Sequence, residues 1–152
     1  MIIIGNGGHA SVVRDVLGRG DKIFDDSCGF IAVGDNAARK REAEAHPDLM
    51  YPVLTDPSAV VSRSARIGAG TIIMAGVVVQ ANAWIGEHCI LNSSCSVDHD
   101  CLIEDYAHIA PGAHLCGDVV VGEGALIGVG ACAVPGANIK AWSLVKAGSV
   151  AK

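Results

Sequence analysis

Histidines beside carboxylates are the side chains in this chain best suited to acid–base chemistry. Asp98-His99-Asp100 places an imidazole between two carboxylates, and His108 and His114 follow along the chain. A carboxylate can fix the tautomer of an imidazole and support the cation that forms on proton uptake, so His99 is a candidate general base. A plain surface role for His99 stays open at this point, since the chain has six histidines.

A repeat of six residues predicts how these side chains are positioned. Aliphatic residues occupy every sixth position from Val61 to Val145, and Ala133 alone breaks the series. A small or β-branched residue follows each of them four positions later, from Ala65 to Ser149. Two inward positions in every six residues fit a short strand and a turn, so the chain must bend at each repeat.

Three such strands bring the chain back over its own start. The repeat therefore predicts a triangular parallel β-helix with about 18 residues in each coil, the hexapeptide form of that fold. Residues 18 apart stack on successive coils, which places Gly117 next to His99. A glycine there leaves room for a thioester beside the base, and its N–H can stabilise a developing oxyanion.

The repeat also explains three cysteines and argues against a metal site. Cys89, Cys95 and Cys101 fall on the small inward position, where a thiol packs as a compact apolar side chain. His108 and His114 share one phase of the repeat on adjoining faces, so they are expected to point apart rather than converge on zinc. Convergence across a subunit interface stays open.

The front of the chain reads as strand, glycine turn and helix. An apolar run ending at Ile4 precedes Gly5-Asn6-Gly7-Gly8-His9-Ala10, and valines at helical spacing follow. Glycines let the backbone approach a ligand, and the helix N-terminus attracts phosphate. Asp25 and Asp26 follow at an interval that suits a ribose or base contact. The turn at Gly34-Asp35-Asn36 ends a second strand, and we expect a charged, solvent-exposed helix from Ala37 to His46.

Composition excludes several classes of function. Hydrophobic residues make up 51% of the chain but aromatic residues only 4%, which indicates a core of small and aliphatic side chains. A net charge of -5 without a run of lysine or arginine argues against nucleic-acid binding. No apolar stretch reaches the roughly 20 residues needed to cross a bilayer, and the N-terminus has no signal-peptide pattern. We therefore expect a cytoplasmic protein that does not associate with membranes.

Four blocks of sequence in this order resemble the group of sialic acid O-acetyltransferases and bacillosamine-pathway N-acetyltransferases. They are Ile-Ile-Gly-Asn-Gly-Gly-His-Ala-Ser-Val-Val, Ile-Ala-Val-Gly-Asp-Asn-x-x-Arg, Thr-Asp-Pro-Ser-Ala-Val-Val-Ser and Asn-Ser-Ser-Cys-Ser-Val-Asp-His-Asp. The resemblance implies a mainly β fold: a small Rossmann-like α/β nucleotide-binding domain (residues 1–58) before a left-handed parallel β-helix acetyltransferase domain (residues 59–152). It also implies a homotrimer with acetyl-CoA as cosubstrate in the groove between neighbouring prisms and no metal.

The resemblance assigns roles to individual residues as well. His99 would be the general base and Asp100 would orient it. His108 would approach the acetyl-CoA thioester, the Gly117 N–H would polarise its carbonyl, and Asn92 would help to hold the amino sugar. The reaction would be direct attack in a ternary complex, since no residue is placed as a covalent nucleophile.

Further ligand contacts follow from the same resemblance. The acetyl-CoA groove would be bordered by His108, Gly117, Val129 and Gly130. The pyrophosphate of a sugar nucleotide would meet Gly7, Gly8 and His9, and its nucleoside would be bordered by Asp25, Asp26, Gly34, Asp35 and Asn36.

The acceptor is the point on which the hypotheses differ. The leading one is N-acetylation of the 4-amino group of a UDP-linked 4-amino-4,6-dideoxy sugar, as in the synthesis of UDP-N,N'-diacetylbacillosamine for bacterial glycans and protein glycosylation. Alternatives with the same chemistry are O-acetylation of sialic acid and N-acetylation of GDP-perosamine. More distant ones are a metal-dependent β-helix hydratase and a non-catalytic sugar-nucleotide-binding module.

Overall fold

The chain consists of a short α/β front segment followed by a long coil of two-residue strands. The computed structural model describes residues 1–19, 25 and 27–152. The front segment contains β1 (Ile2–Ile4), α1 (Gly8–Arg19), β2 (Gly29–Ile31) and α2 (Asn36–Ala45), with β1 and β2 paired in parallel. The coil contains β3 (Leu54–Thr55), β4 (Val60–Val61), β5 (Arg66–Ile67), β6 (Ile72–Ile73), β7 (Val78–Val79), β8 (Trp84–Ile85), β9 (Ile90–Leu91), β10 (Ser96–Val97), β11 (Leu102–Ile103), β12 (His108–Ile109), β13 (His114–Leu115), β14 (Val120–Val121), β15 (Leu126–Ile127), β16 (Cys132–Ala133), β17 (Asn138–Ile139), β18 (Leu144–Val145) and β19 (Val150–Ala151).

These strands form three parallel sheets, which are the faces of a triangular prism. Face A contains β4, β7, β10, β13, β16 and β19; face B contains β5, β8, β11, β14 and β17; face C contains β3, β6, β9, β12, β15 and β18. Ser96 pairs with His114 and Leu102 with Val120, so the register advances by 18 residues for each coil. The predicted parallel β-helix and its coil length are confirmed.

A residue in the left-handed backbone region forms a corner of the prism once in every six residues. From position 70 to position 148 every sixth residue has φ between 51° and 71°. Glycine adopts this conformation without steric cost, whereas other residues do so uncommonly. Half of these corners are glycines; the others are Asn82, His88, Ser94, Asp100, Tyr106, Asp118 and Trp142.

The interior of the prism is filled by the two predicted inward positions of the repeat. The aliphatic residues from Ile73 to Ile127 are at most 2% exposed, as are the small residues from Thr71 to Ala131. Cys89, Cys95 and Cys101 lie among them, and burial raises the pKa of the Cys89 and Cys95 thiols to about 12. Their burial among the inward side chains confirms the predicted packing role. Thiols with pKa values this high stay protonated and are poor nucleophiles.

The front segment covers one face of the prism. On face C the outward side chains Leu54, Ile72 and Ile90 are at most 3% exposed and share one apolar cluster with Val13 and Phe30 of the front segment. Further along the same outward row His108 is half-buried and Leu144 is 62% exposed. The cover is therefore complete over the first coils and partial from His108 onward, where Asn36 still contacts the Gly124 carbonyl oxygen.

Arg39 of α2 fixes the front segment to the edge between faces B and C. Its side chain is only 1% exposed, so the helix is not the wholly solvent-exposed one that its charged sequence predicts. The guanidinium donates to acceptors on both sides of the junction: the carbonyl oxygens of His88 (2.7 Å), Tyr106 (2.7 Å), Val33 (3.1 Å) and Gly34 (3.2 Å), and Asn36 Oδ1 (2.8 Å). Burial lowers the pKa of Arg39 to about 10, which leaves the group charged at neutral pH. A buried cation with this many acceptors has its desolvation offset by hydrogen bonds.

The described residues do not show the small Rossmann-like domain that the resemblance implies. Among them the front segment contains one parallel strand pair and two helices. Its apolar side chains are used against face C, so it shares its core with the β-helix. The ladder of the prism already includes Leu54–Thr55, which pairs with Ile72–Ile73. The division into domains at residues 58 and 59 stays a prediction.

In the part of the chain that is described, no helix has the length and apolar character needed to cross a membrane.

Replacing Arg39 by lysine should destabilise the chain by about 2 kcal/mol or more. A lysine ammonium cannot reach carbonyls on both sides of the junction, and each buried carbonyl left unpaired costs about 1–3 kcal/mol. Urea unfolding followed by circular dichroism measures the change in the free energy of unfolding. Arg41→Lys is the matched control, because Arg41 is exposed on the same helix and its replacement should change stability by less than about 0.5 kcal/mol. Equal stability of the two variants would contradict the role given to Arg39.

Candidate active site

His99 and Asp100 lie together where the chain turns from face A to face B. His99 Nδ1 is 2.9 Å from Asp100 Oδ2, and the backbone N–H of His99 donates to Asp98 Oδ1 at 2.8 Å. Because an ionised carboxylate only accepts, Nδ1 carries the proton and Nε2 is left with its lone pair. The Asp100 hydrogen bond is the largest cause of a raised pKa at His99, and the charges of Asp98 and Asp118 act in the same direction.

Gly117 lies directly against the His99 ring, as the 18-residue stacking predicts. A Cβ atom built on Gly117 would be 2.5 Å from His99 Cε1 and 2.6 Å from Nε2, closer than real contacts allow. Only glycine therefore leaves the imidazole in this position. In the described part of the chain the Gly117 N–H has no backbone acceptor, so it is available to a ligand beside the imidazole.

A second group of predicted residues lies on face C and on its edge with face A. The side-chain amide nitrogen of Asn92 is 3.0 Å from His108 Nε2, so Asn92 donates and Nε2 accepts. On the same edge Val129 is 56% exposed, and a Cβ built on Gly130 would meet nothing within 4 Å. This edge offers an open, partly apolar surface beside His108.

The glycine turn of the front segment borders a groove that contains His9, whose charged form acts on His108. The groove has a volume of about 340 Å³ and is lined by Gly5, Asn6, Gly7, Gly8, His9, Ala32, Val33 and Gly34. Burial and then the charge of Arg39 lower the pKa of His9 to about 4, and His108 is shifted to about 4 by the same causes. Both imidazoles are therefore neutral at pH 7. His9 Nε2 is buried and has no hydrogen-bond partner among the described residues, which leaves one polar atom for a ligand to satisfy.

The remaining predicted nucleotide contacts have local structural partners. Asp35 caps α2 by accepting from the Ala38 N–H at 2.7 Å, and the Asn36 amide donates to the Gly124 carbonyl oxygen at 3.0 Å. Asp25 is exposed and accepts hydrogen bonds from the hydroxyl and then the backbone N–H of Ser27, and both lower its pKa. Asp26 lies outside the described residues.

The structure brings the predicted residues together as two separate clusters. His99, Asp100 and Gly117 lie on the edge between faces A and B, whereas His9, Asn92 and His108 lie at face C. In a triangular prism the A–B edge is opposite face C. One chain therefore cannot place the His99 imidazole at its own front groove.

Sequence reasoning missed two residues that hold the clusters in place. Arg39 stands in the block Ile31-Ala32-Val33-Gly34-Asp35-Asn36-x-x-Arg39, but its charge suggested solvent exposure. Asn82 donates its amide to Asp100 Oδ1 at 3.0 Å. It lies 18 residues before Asp100, so the stacking rule that located Gly117 also gives Asn82.

The chemistry available to the A–B edge is proton removal beside a hydrogen-bond donor. The free Nε2 of His99 can accept a proton, Asp100 stabilises the resulting cation, and Gly117, whose N–H has no backbone acceptor, lies against the same ring. No group of three or more histidine, cysteine or acidic side chains in residues 1–19, 25 and 27–152 is arranged to hold a metal ion.

Comparisons with known proteins give the same fold. The family described as bacterial transferase hexapeptide (six repeats) matches residues 64–99. The acetyltransferase domain of PglB from Neisseria gonorrhoeae is 32% identical with a TM-score of 0.93, and the alignment covers 99% of this chain and 90% of that one. The same PglB domain in complex with acetyl coenzyme A has 32% identity and a TM-score of 0.89, with coverage of 97% and 87%.

A second enzyme is equally similar in structure. PerB from Caulobacter crescentus, solved in complex with CoA and GDP-perosamine, is 37% identical with a TM-score of 0.93, and coverage is 99% of this chain and 87% of that one. A search of curated protein sequences finds no match. At these identities and coverages, with six-residue repeats stacked around His99 and Gly117, the chain belongs to the hexapeptide-repeat acyltransferases, in the group of sugar-nucleotide enzymes that its sequence resembles, and it is an acetyltransferase.

Proposed function

We propose that this chain transfers the acetyl group of acetyl-CoA to the 4-amino group of a UDP-linked 4-amino-4,6-dideoxy sugar, in the synthesis of bacterial glycans. The observation that carries the proposal is the His99–Asp100 pair, which leaves a free imidazole nitrogen in a ring packed against Gly117. Residues 1–58 bind the sugar nucleotide and residues 59–152, wound as a left-handed β-helix, carry out the transfer.

The reaction follows from the groups at the A–B edge. His99 Nε2 removes a proton from the amine as its nitrogen attacks the thioester carbonyl carbon, and the Gly117 N–H donates to the carbonyl oxygen as negative charge develops there. The new C–N bond forms, the C–S bond breaks, and the imidazolium returns its proton to the departing CoA thiolate. Asp100 remains ionised and holds the imidazole in one tautomer throughout.

The cluster at face C serves binding. His108, Val129 and Gly130 border the acetyl-CoA thioester and its pantetheine chain, and Asn92 holds the amino sugar. Gly7, Gly8 and His9 meet the pyrophosphate at the N-terminus of α1, where the helix dipole and free N–H groups favour anions. Because His9 and His108 are neutral, they bind by hydrogen bonds and carry no charge at pH 7.

A complete site needs a second copy of the chain, and we propose a homotrimer. The base and the front groove lie on opposite sides of one prism, so the A–B edge of one subunit must approach face C of the next. A cyclic trimer repeats this heterologous contact and closes it. Exposed apolar side chains on the prism support such contacts, namely Val60, Trp84, Val129, Leu144 and Val150.

GDP-perosamine is a second candidate acceptor. PerB, which is solved with this ligand and CoA, is somewhat more identical to this chain than the PglB domain is. The chemistry at His99 would be the same, and the nucleotide would differ. Comparing UDP-linked and GDP-linked 4-amino sugars as acceptors under otherwise identical conditions separates the two.

His99→Ala should lower acetyl transfer by about 10²- to 10⁴-fold, because a general base contributes a factor of that size. Consumption of acetyl-CoA is measured across a panel of UDP- and GDP-linked amino sugars, and binding of the best acceptor is measured by calorimetry. Binding should survive, since the front groove is unchanged. His114→Ala is the matched control, because His114 is exposed on face A and lies in neither cluster. Unchanged turnover in the His99 variant would remove His99 from the mechanism.

Gly117→Ala should lower kcat/KM by about 10- to 100-fold without unfolding the chain. The added methyl group occupies the position of the His99 ring and displaces it, and misplacing a base by an ångström has effects of this order. Steady-state kinetics and the melting temperature are measured together. Gly18→Ala controls for the substitution itself, because a Cβ there meets nothing within 4 Å. A fully active Gly117 variant would contradict the packing of the base against this glycine.

Mixing two inactive variants should restore activity if each site is shared between subunits. His99→Ala subunits keep face C, and His108→Asn subunits keep the A–B edge. Random assortment in a trimer rebuilds about a quarter of the sites. Each variant alone should show only residual turnover, and the co-expressed and purified mixture should approach a quarter of the wild-type rate. Activity no higher than the sum of the separate variants would contradict a shared site.

A further inference from the structure

The corner residues on the A–B edge form a polar column one coil apart. Ser64, Asn82, Asp100 and Asp118 follow at intervals of 18 residues. The last three are in the left-handed region, with φ of 61°, 58° and 61°. Glycine would suit each of these corners sterically, yet none of the four is glycine.

Asn82 and His99 hold the two oxygens of one carboxylate. The Asn82 amide nitrogen donates to Asp100 Oδ1 at 3.0 Å, and His99 Nδ1 donates to Oδ2 at 2.9 Å. Because an ionised carboxylate only accepts, the amide must present its nitrogen rather than its oxygen. With both oxygens engaged, rotation of the Asp100 carboxyl group breaks at least one bond.

Asn82 is itself fixed by its backbone. Its N–H donates to Ser64 Oγ at 3.0 Å, and asparagine tolerates the left-handed region better than most residues with a Cβ. The column therefore connects Ser64, Asn82, Asp100 and His99 through consecutive hydrogen bonds on successive coils.

We propose that Asn82 is a positioning residue for acetyl transfer, which holds the Asp100 carboxylate against His99 Nδ1 and thereby aims Nε2 at the acceptor amine. The proposal rests on the proposed function, in which His99 is the base. Asn82 touches neither substrate nor the reacting atoms in this arrangement and acts through Asp100 alone. Its amide also supplies a neutral donor among the carboxylates of Asp98, Asp100 and Asp118.

Two substitutions at position 82 should move the titration of His99 in opposite directions. Asn82→Gly keeps the corner and removes the donor, so Asp100 spends less time at Nδ1 and the pKa of His99 falls toward its ordinary value. Asn82→Asp keeps the shape and adds a fourth carboxylate near His99, so the pKa of His99 rises further. We expect displacements of about half a pH unit each way.

The experiment reads this titration in two independent ways on the intact protein. Carbon-13 labelling of the histidine ring followed by NMR gives the pKa of His99, whose signal is assigned by its loss in His99→Gln. The acid limb of kcat/KM against pH is measured with acetyl-CoA and the best amino-sugar nucleotide of the panel, and should shift down in Asn82→Gly and up in Asn82→Asp. We expect kcat to fall about tenfold in both variants with KM nearly unchanged.

Ser94→Gly is the matched control, because Ser94 is another polar corner residue but lies on the edge between faces C and A. It should leave the His99 titration and the pH profile as in the wild type. A loss of stability at Asn82→Gly with no movement of either profile would show a merely structural role and overturn the inference. If His99→Ala is inactive but the Asn82 variants behave as the wild type, this inference is wrong and the proposed function stands. If His99→Ala is fully active, the proposed function itself is wrong.

Discussion

The parallel hydrogen-bond ladder of the prism is the constraint on which the rest of the structure depends. It places each residue against the one 18 positions later on every coil. This register packs His99 against Gly117 and brings Asn82 to Asp100. In a loop, such distances would depend on many independent backbone torsions. In the prism they follow from the repeat, which the packed core keeps in register.

The same register explains how the front segment is attached. His88, Tyr106 and Gly124 are successive corners of the edge between faces B and C, and the side chains of α2 bind their carbonyl oxygens. Arg39 binds the first two and Asn36 binds the third. These carbonyl oxygens are spaced regularly, one coil apart. A planar guanidinium suits such a row because its N–H donors point in fixed directions. The orientation of the glycine turn over face C follows from this docking.

Electrostatics separate the histidines by their protonation. Burial and the Arg39 charge keep His9 and His108 neutral, with pKa values of about 4, whereas carboxylates raise the pKa of the exposed His99. Neutral imidazoles suit hydrogen bonding to a ligand, and an imidazole beside carboxylates suits proton uptake. The fold thus produces two chemically different environments for one residue type on opposite sides of the prism.

Much of the fold could be predicted from the sequence because the repeat is a local and redundant signal. The inward positions, the coil length, the packing of Cys89, Cys95 and Cys101, and the proximity of His99 to Gly117 all follow from counting in sixes and eighteens. The buried state of Arg39 could not be predicted, because a charged residue on a short polar helix is exposed unless distant carbonyls happen to converge on it. The cover over Leu54, Ile72 and Ile90 could not be predicted either, because an apolar residue on an outward position does not indicate which segment packs against it.

The sequence by itself therefore determined the prism and the identity of the candidate base, since both depend on spacing along one chain. Only the tertiary structure decided that the base and the front groove lie on opposite sides of that prism. Which face the front segment covers depends on contacts between residues far apart in sequence, and a repeat that treats its three faces alike carries no information about that choice.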